Sequence, residues 1–280
     1  MPGLLAFHAH PDDEVIGTGG VLARYAAAGE QVVVVTATDG AEGEIHNYED
    51  PEALREQLVE LRAEEVRAAL DILGVKHHEF LGFRDSGMMG TNANSNPTSF
   101  WQADLFEAAH RLVRLIRRYQ PEVMTIYDPF GGYGHPDHIQ VHRIGMAAFF
   151  GCRDLGWFPL EAGEEEWRPQ KLYWSAWGRE RMGALNRMRA EANPDGDSYL
   201  TRADRGFPDE ELSAEIDVSE YVDLKLAALR AHRSQIPDDW FALTVPEEDR
   251  RAWFGRETFL RLFSAVPTPH PESDLFAGLR

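Results

Sequence analysis

Short apolar runs alternate with stretches of helical period along the first 150 residues of the chain. Apolar runs without polar alternation predict strands buried on both faces, at 4–7, 31–38, 78–82 and 122–127. Apolar residues spaced three or four positions apart predict helices, at 14–28, 51–73, 100–119 and 135–150. A polar stretch at 84–99 predicts a long loop. Helices that alternate with buried strands indicate an α/β fold with a mostly parallel sheet between helices.

The pattern is less regular in the second part of the chain. It predicts strands at 171–177 and 213–218, helices at 221–233 and 253–263, and a polar loop at 186–211. The last of these helices is expected to be short. We therefore expect one domain over residues 1–280, with the core in 1–150 and the completing strands, helices and a less regular cap in 151–280.

The charge and cysteine content narrow the function classes. A formal net charge of −19 argues against nucleic acid or anionic membrane as the main partner. Cys152 is the single cysteine, so no internal disulfide is possible and a reducing compartment is expected. No basic leader and no run near the ~20 apolar residues of a membrane span is present. These features predict a cytoplasmic protein and leave homo-oligomer formation open.

Two carboxylates and a histidine crowd into the turn His10-Pro11-Asp12-Asp13, directly after the first predicted strand. Charged groups beside a buried strand are costly unless they are paired or bind a metal. His10 and Asp13 are three positions apart on a tight turn, so both can reach one ion. We interpret the turn as half of a metal site.

A second motif, His135-Pro-Asp-His138, supplies the missing ligand. Both motifs follow apolar strands and open helices, and in a parallel sheet such turns lie at the same edge. A catalytic zinc site uses three protein ligands and keeps one position open. The sequence thus predicts one Zn²⁺ per chain on His10, Asp13 and His138, with another divalent metal such as Fe²⁺ as the alternative.

The remaining residues of the two motifs suggest amide hydrolysis. Asp12 can serve as the general base that takes a proton from water at the metal. His135 is left to stabilise the oxyanion or to protonate the leaving nitrogen, and a cationic imidazole suits that role. Asp137 is expected to orient His135 and to hold its proton by a hydrogen bond.

Simpler interpretations exist for most of these residues. Asp12 or Asp13 can merely cap the following helix. Arg62 lies among glutamates on a predicted helix and can belong to a solvated salt-bridged face. Asp85 opens the long loop and can be a turn residue. Four tryptophans can form a sugar platform, although a core role is the default; they are Trp157, Trp167, Trp174 and Trp177.

The two motifs together resemble the LmbE/PIG-L family of zinc-dependent N-acetylglucosamine deacetylases. The resemblance rests on His10-Pro-Asp-Asp-Glu14 and Gly132-Tyr-Gly-His-Pro-Asp-His138, and covers residues 1–150 best. It implies a Rossmann-like fold and the same metal ligands, base and acid as above. It also implies that Tyr133 lies over the oxyanion.

Within the family, the chain resembles the branch that makes low-molecular-weight thiols. Members of that branch deacetylate N-acetylglucosaminyl-inositol in the mycothiol pathway, or N-acetylglucosaminyl-malate in the bacillithiol pathway. The resemblance implies that Glu44, Arg62 and Asp85 contact a small acetylated amino-sugar substrate. Two alternatives stay open: a thiol S-conjugate amidase, and a sugar-binding protein with a vestigial metal site. Intact Asp12 and His135 disfavour the second, because binding alone needs neither.

Overall fold

Seven strands form one sheet in the part of the chain that the computed structural model describes, residues 3–192 and 206–280 without the side chains of 188–192. The strands are β1 (Gly3–His8), β2 (Gln31–Thr38), β3 (His77–Phe83), β4 (Val123–Ile126), β5 (Lys171–Ser175), β6 (Ala214–Asp217) and β7 (Arg256–Ser264). Their order across the sheet is β3-β2-β1-β4-β5-β7-β6. The first five strands are parallel, and β7 runs antiparallel to β5 and β6.

Helices cover both faces of this sheet. They are α1 (Asp13–Ala27), α2 (Leu58–Leu73), α3 (Leu105–Tyr119), α4 (Pro136–Gly151), α5 (Arg179–Ala192), α6 (Val222–Ala231), α7 (Phe241–Thr244) and α8 (Glu247–Phe254). Short 3₁₀ turns occur at Glu52–Gln57, Asn92–Ser95, Phe100–Gln102, Asp209–Glu211 and Ser219–Tyr221. Helices α1, α2 and α6 contact one another, and α3 contacts α4. The predicted α/β fold with a mostly parallel sheet is confirmed.

The side chains of the apolar strands pack into two separate hydrophobic cores. Leu4 and Ala6 of β1 belong to one buried cluster, whereas Leu5 and Phe7 belong to the other. Successive side chains of a strand point to opposite faces, so a strand between two helix layers must be apolar at every position. This explains why the runs in β1 and β2 are continuous.

The predicted helix at 253–263 is wrong. Helix α8 ends at Phe254, and residues 256–264 form β7, which pairs with β5 on one side and β6 on the other. Insertion between two strands satisfies the backbone groups of β7 on both edges, a tertiary effect that the local pattern does not carry.

The polar loop predicted at 186–211 is wrong at its start. Residues 186–192 lie in α5, whose position the sequence pattern did not indicate. Residues 193–205 lie outside the described part of the chain. The predicted long loop at 84–99 is present, with one 3₁₀ turn inside it. Among the described residues, no helix is both long enough and apolar enough to cross a bilayer.

Candidate metal centre and active site

The two predicted motifs meet at the carboxyl edge of the sheet. Strand β1 leads into the turn that carries His10, and its neighbour β4 leads into the loop that carries His135. The ring centroids of His10 and His135 are 4.5 Å apart, and those of His10 and His138 are 5.3 Å apart. All three imidazoles are buried. Adjacent parallel strands thus bring residues more than 120 positions apart into one cluster.

The carboxylate of Asp13 lies close to both of the other predicted metal ligands. Asp13 Oδ2 lies 3.2 Å from His10 Nδ1 and 3.2 Å from His138 Nε2. The Nε2 atom of His138 is shielded from solvent and has no hydrogen-bond partner of acceptable geometry among the described residues. A buried ring nitrogen without a partner, beside a carboxylate and a second imidazole, fits the donor set of a divalent metal site.

The other nitrogen of His10 faces two more carboxylates. Nε2 lies 3.1 Å from Asp137 Oδ2 and 3.5 Å from Asp85 Oδ1. Burial alone would lower the pKa of His10, but Asp85, Asp13 and Asp137 outweigh it and raise the pKa well above its usual range. A carboxylate on the far nitrogen fixes the tautomer and orientation of a metal-binding imidazole. Asp85, expected to contact substrate, is therefore a buried partner of His10.

The prediction that the Asp137 carboxylate hydrogen-bonds to His135 is wrong. That carboxylate contacts His10 and accepts hydrogen bonds from Ser86 N, at 2.9 Å, and from Ser86 Oγ. His135 is held instead by the backbone N–H of Asp137, which donates to His135 Nδ1 at 3.1 Å. Because Nδ1 accepts, the ring proton of neutral His135 is on Nε2.

The expectation of a cationic His135 is also wrong. Burial, together with His10 and His138, lowers the pKa of His135 to about 2. Two neighbouring imidazoles that can carry positive charge disfavour a third. A neutral ring with its proton on Nε2 can donate a hydrogen bond but has no charge to give.

Asp12 occupies the N-cap position of α1 without capping it. Its side chain makes no hydrogen bond to the first turn, and its φ of 127° is in a region that L residues rarely adopt. Its backbone N–H donates instead to Glu14 Oε2 at 2.9 Å. Asp13 accepts from His10 N rather than from the helix. Strain of this kind persists where the surroundings enforce it, typically at functional sites.

The carboxylate of Asp12 is partly buried, 16% exposed, beside Arg62. Arg62 Nη2 donates to Asp12 Oδ2 at 3.2 Å and to Pro11 O at 2.6 Å, and Nη1 donates to Gly40 O at 2.7 Å. Burial raises the pKa of Asp12 to about 6, since the lowering by Arg62 is smaller and Asp13 raises it further. The solvated face is wrong for Arg62, which is 3% exposed and supports the turn of Asp12.

A pair missed by the sequence analysis lies behind Asp12. Glu14 Oε1 is 2.7 Å from His232 Nε2, and both side chains are fully buried. The partners lie 218 positions apart in the chain. No spacing signal in the sequence marks His232. It fixes the carboxylate that holds the backbone of Asp12.

A cavity of about 530 Å³ opens above this cluster. Tyr133 and Glu44 line it, and the Tyr133 ring meets His138 edge to face with centroids 4.8 Å apart. The side chain of Glu44 is 86% exposed and lies 3.4 Å from His46 Nε2. The opposite wall comes from α5 to α8, including Trp177. The cap predicted for 151–280 thus forms the far side of the site.

Comparisons with known proteins agree with this architecture. The model of the PIG-L family, GlcNAc-PI de-N-acetylase, matches residues 5–149. A 1D-myo-inositol 2-acetamido-2-deoxy-alpha-D-glucopyranoside deacetylase from Salinispora arenicola is 41% identical over 290 residues, covering 99% of this chain and 91% of the relative. A relative of the same name from Thermomonospora curvata is 42% identical over 296 residues, covering 99% and 96%.

The fold is shared with a solved deacetylase. The N,N'-diacetylchitobiose deacetylase from Pyrococcus horikoshii superposes with a TM-score of 0.66 at 22% identity, covering 93% of this chain and 83% of that one. The relatives carry the names of deacetylases, and the predicted class of amide hydrolase is confirmed. On the family match and the near full-length relatives, the chain belongs to the PIG-L family of de-N-acetylases.

Proposed function

We propose that this enzyme removes the N-acetyl group of N-acetylglucosaminyl-inositol, in low-molecular-weight thiol biosynthesis in the cytoplasm. The observation that carries the chemistry is the partly buried Asp12 carboxylate beside His10, Asp13 and His138. The inositol aglycone is supported by relatives named for that substrate, which match 99% of the chain.

We assign one Zn²⁺ to His10, Asp13 and His138, because imidazole nitrogen and carboxylate oxygen are its usual ligands. A divalent ion held by these three residues would supply a Lewis acid for the amide carbonyl and would lower the pKa of water at the site. Asp137 and Asp85 hold the far nitrogen of His10, so they orient a ligand and do not themselves bind the ion.

Asp12 is the proposed general base. Its strained backbone and the bond from Arg62 aim the carboxylate into the cavity, where it can accept a proton from water attacking the acetamide. The same carboxyl, once protonated, can return the proton to the leaving nitrogen. Arg62 then supports the base, and its expected contact with the sugar stays a prediction.

His135 is the proposed donor to the oxyanion. Its Nε2–H is the only ring proton in the neutral form, since Nδ1 accepts from the backbone of Asp137. A fixed donor that needs no reorganisation stabilises developing negative charge efficiently. Tyr133, which lines the same cavity, is proposed to lie over the same oxygen. Glu44, at the exposed rim, is proposed to accept a hydrogen bond from a sugar hydroxyl.

Acetate release tests the proposal directly. The metal-loaded chain is assayed with N-acetylglucosaminyl-inositol and with N-acetylglucosaminyl-malate, beside a chelator-treated sample. We expect release from the inositol glycoside, loss after chelation, and recovery on adding Zn²⁺. No release from either glycoside by protein carrying one equivalent of metal would overturn the proposed substrate class.

A further inference from the structure

The cavity has a second wall that the proposed substrate does not explain. Helix α5 presents four side chains to it, at the i, i+1, i+4, i+5 spacing of one helix face; we call this set the α5 wall, Arg181, Met182, Leu185 and Asn186. Aromatic side chains flank the α5 wall inside the same cavity; they are Trp177, Phe207 and Phe254. The wall is therefore apolar except for one guanidinium and one carboxamide.

The guanidinium of Arg181 has no counterion among the side chains that the structure describes. Its Nη1 donates to the backbone oxygen of Arg256 at 2.7 Å, and its Nε is shielded from solvent without a partner. Throughout residues 3–192 and 206–280, no carboxylate with a described side chain lies within ion-pair distance of it. The Trp177 ring, with its centroid 5.6 Å away, is its aromatic neighbour. A half-buried cation without a carboxylate is unfavourable unless a ligand supplies the charge.

Glu257, the carboxylate whose charge reaches Arg181, is already satisfied. It accepts from Lys225 Nζ at 2.6 Å and from the backbone N–H groups of Gly20 and Val21 at 2.9 and 2.8 Å. One lysine and two backbone donors balance one carboxylate. Among the described side chains on this side of the cavity, the positive charge of Arg181 is therefore the one that Glu257 does not balance.

Asn186 is the second unexplained polar group. Both Oδ1 and Nδ2 are shielded from solvent, and neither has a hydrogen-bond partner among the described residues. Buried polar atoms without partners are rare in folded proteins and call for a ligand or bound water. Asn186 lies one helical turn beyond Met182 and thus on the same face as Arg181.

We propose that the α5 wall is a subsite for a carboxylate on an apolar stem, carried by the aglycone of a glycoside bound in this cavity. Arg181 and Asn186 bind the carboxylate, and Trp177 and its apolar neighbours bind the stem. The inositol glycoside named for the relatives has no ionisable group, so it leaves Arg181 unexplained. The inference rests on the proposed function for placing the sugar at the metal centre.

Two matched glycosides test the subsite without turnover. The metal-loaded full chain is titrated by calorimetry with 4-carboxyphenyl and 4-carbamoylphenyl glucoside, which lack the acetamide and differ only in charge. We expect the carboxylate to bind about tenfold tighter, as one hydrogen-bonded ion pair in a partly buried site predicts. Equal affinities of the two glucosides for the wild-type chain would overturn the proposal.

Variants locate the effect on the α5 wall. Arg181→Met is expected to abolish the tenfold preference, Arg181→Lys to keep part of it, and Asn186→Leu to reduce it about threefold. Arg187→Met, which removes the same charge from the exposed side of α5, is the control and keeps the preference. A preference that is undiminished in Arg181→Met, or that Arg187→Met also abolishes, contradicts the proposal.

The acetate assay separates this proposal from the proposed function. If the carboxylate preference is present but no glycoside releases acetate, the reaction is wrong and the subsite stands. If acetate is released from the inositol glycoside while the two glucosides bind equally, the subsite is wrong and the reaction stands.

Discussion

Buried ionisable groups are arranged differently at the carboxyl edge of β1 and β4 and in the C-terminal part of the sheet. At the first place, three imidazoles share one cluster with four carboxylates, Asp12, Asp13, Asp85 and Asp137, and several pKa values are displaced in opposite directions. In the second region, Lys171 meets Glu272, and both are fully buried.

The difference separates two uses of buried charge. Glu272 also accepts from Tyr173 at 2.9 Å and from Arg261, so its charge is fully matched inside the protein. The cluster at the metal centre has no such balance, since His138 Nε2 makes no well-formed hydrogen bond to any described residue and Asp12 has a raised pKa. Matched groups fix a fold, whereas unmatched groups are the ones available to a metal, a proton or a substrate.

The strongest test of this contrast is Asp12→Asn. Loss of a general base lowers kcat by about 10³-fold. The raised pKa of Asp12 means that its surroundings destabilise the charged form even beside Arg62, so loss of the charge is expected to leave the free energy of unfolding nearly unchanged. Steady-state kinetics, thermal unfolding and metal content are measured on the same sample. A variant that retains metal and still works within tenfold of the wild type would remove Asp12 from the mechanism.

Glu272→Gln is expected to show the reverse. Lys171 is left buried without a charge partner, which costs about 3 kcal/mol of unfolding free energy. Glu272 does not line the cavity, so kcat/KM of the folded enzyme is expected to stay at the wild-type value. Denaturant unfolding measures the free energy of unfolding, and kinetics in buffer measure kcat/KM. An unchanged free energy of unfolding would show that the pair of Lys171 and Glu272 does not stabilise the fold.

Asp137→Asn tests a carboxylate of the metal centre that has hydrogen-bond partners within the protein. A neutral carboxamide is a weaker acceptor for His10 Nε2–H than the carboxylate, so metal affinity is expected to fall about 10- to 100-fold. Competition with a chelator gives the affinity, and excess metal is expected to restore much of the activity. If activity is lost while metal affinity is unchanged, Asp137 acts on the reaction and not through His10.

The smallest effect is expected at an exposed ion pair. Glu107→Gln breaks the contact with Arg111 on α3, where the two side chains are 61% and 41% exposed. Solvent-exposed pairs one helical turn apart contribute only about 0.3–0.5 kcal/mol. This variant makes the same substitution as Glu272→Gln, so a similar loss of stability in both would mean that burial does not set the cost.

The catalytic edge could be predicted from the sequence because its parts are local. His10, Asp12 and Asp13 lie within one turn, and His135 and His138 within another. The continuous apolar strands that precede them indicate a parallel sheet, whose geometry brings the turns together. Spacing gave the residues of the site but not their hydrogen bonds.

The parts that were wrong or missed depend on partners far apart in the chain. The bond of Asp137 to His10 and the pair of Glu14 with His232 arise only when distant elements pack. Residues 256–264 are a strand because two other strands flank them. The pairing with these strands cannot be read from the local sequence, so the helical periodicity predicted a helix where the structure has a strand.

The position of β7 has a consequence for how the chain folds during its synthesis on the ribosome. Among the described strands, β6 has β7 as its sheet neighbour, although Ala214–Asp217 is synthesised some 40 residues before Arg256–Ser264. Because elongation proceeds at about 5–20 residues per second, the nascent chain holds the metal turns for seconds before this side of the sheet can close. Metal binding can therefore precede completion of the cavity. The enzyme can become active only after β7 has been synthesised and has joined the sheet.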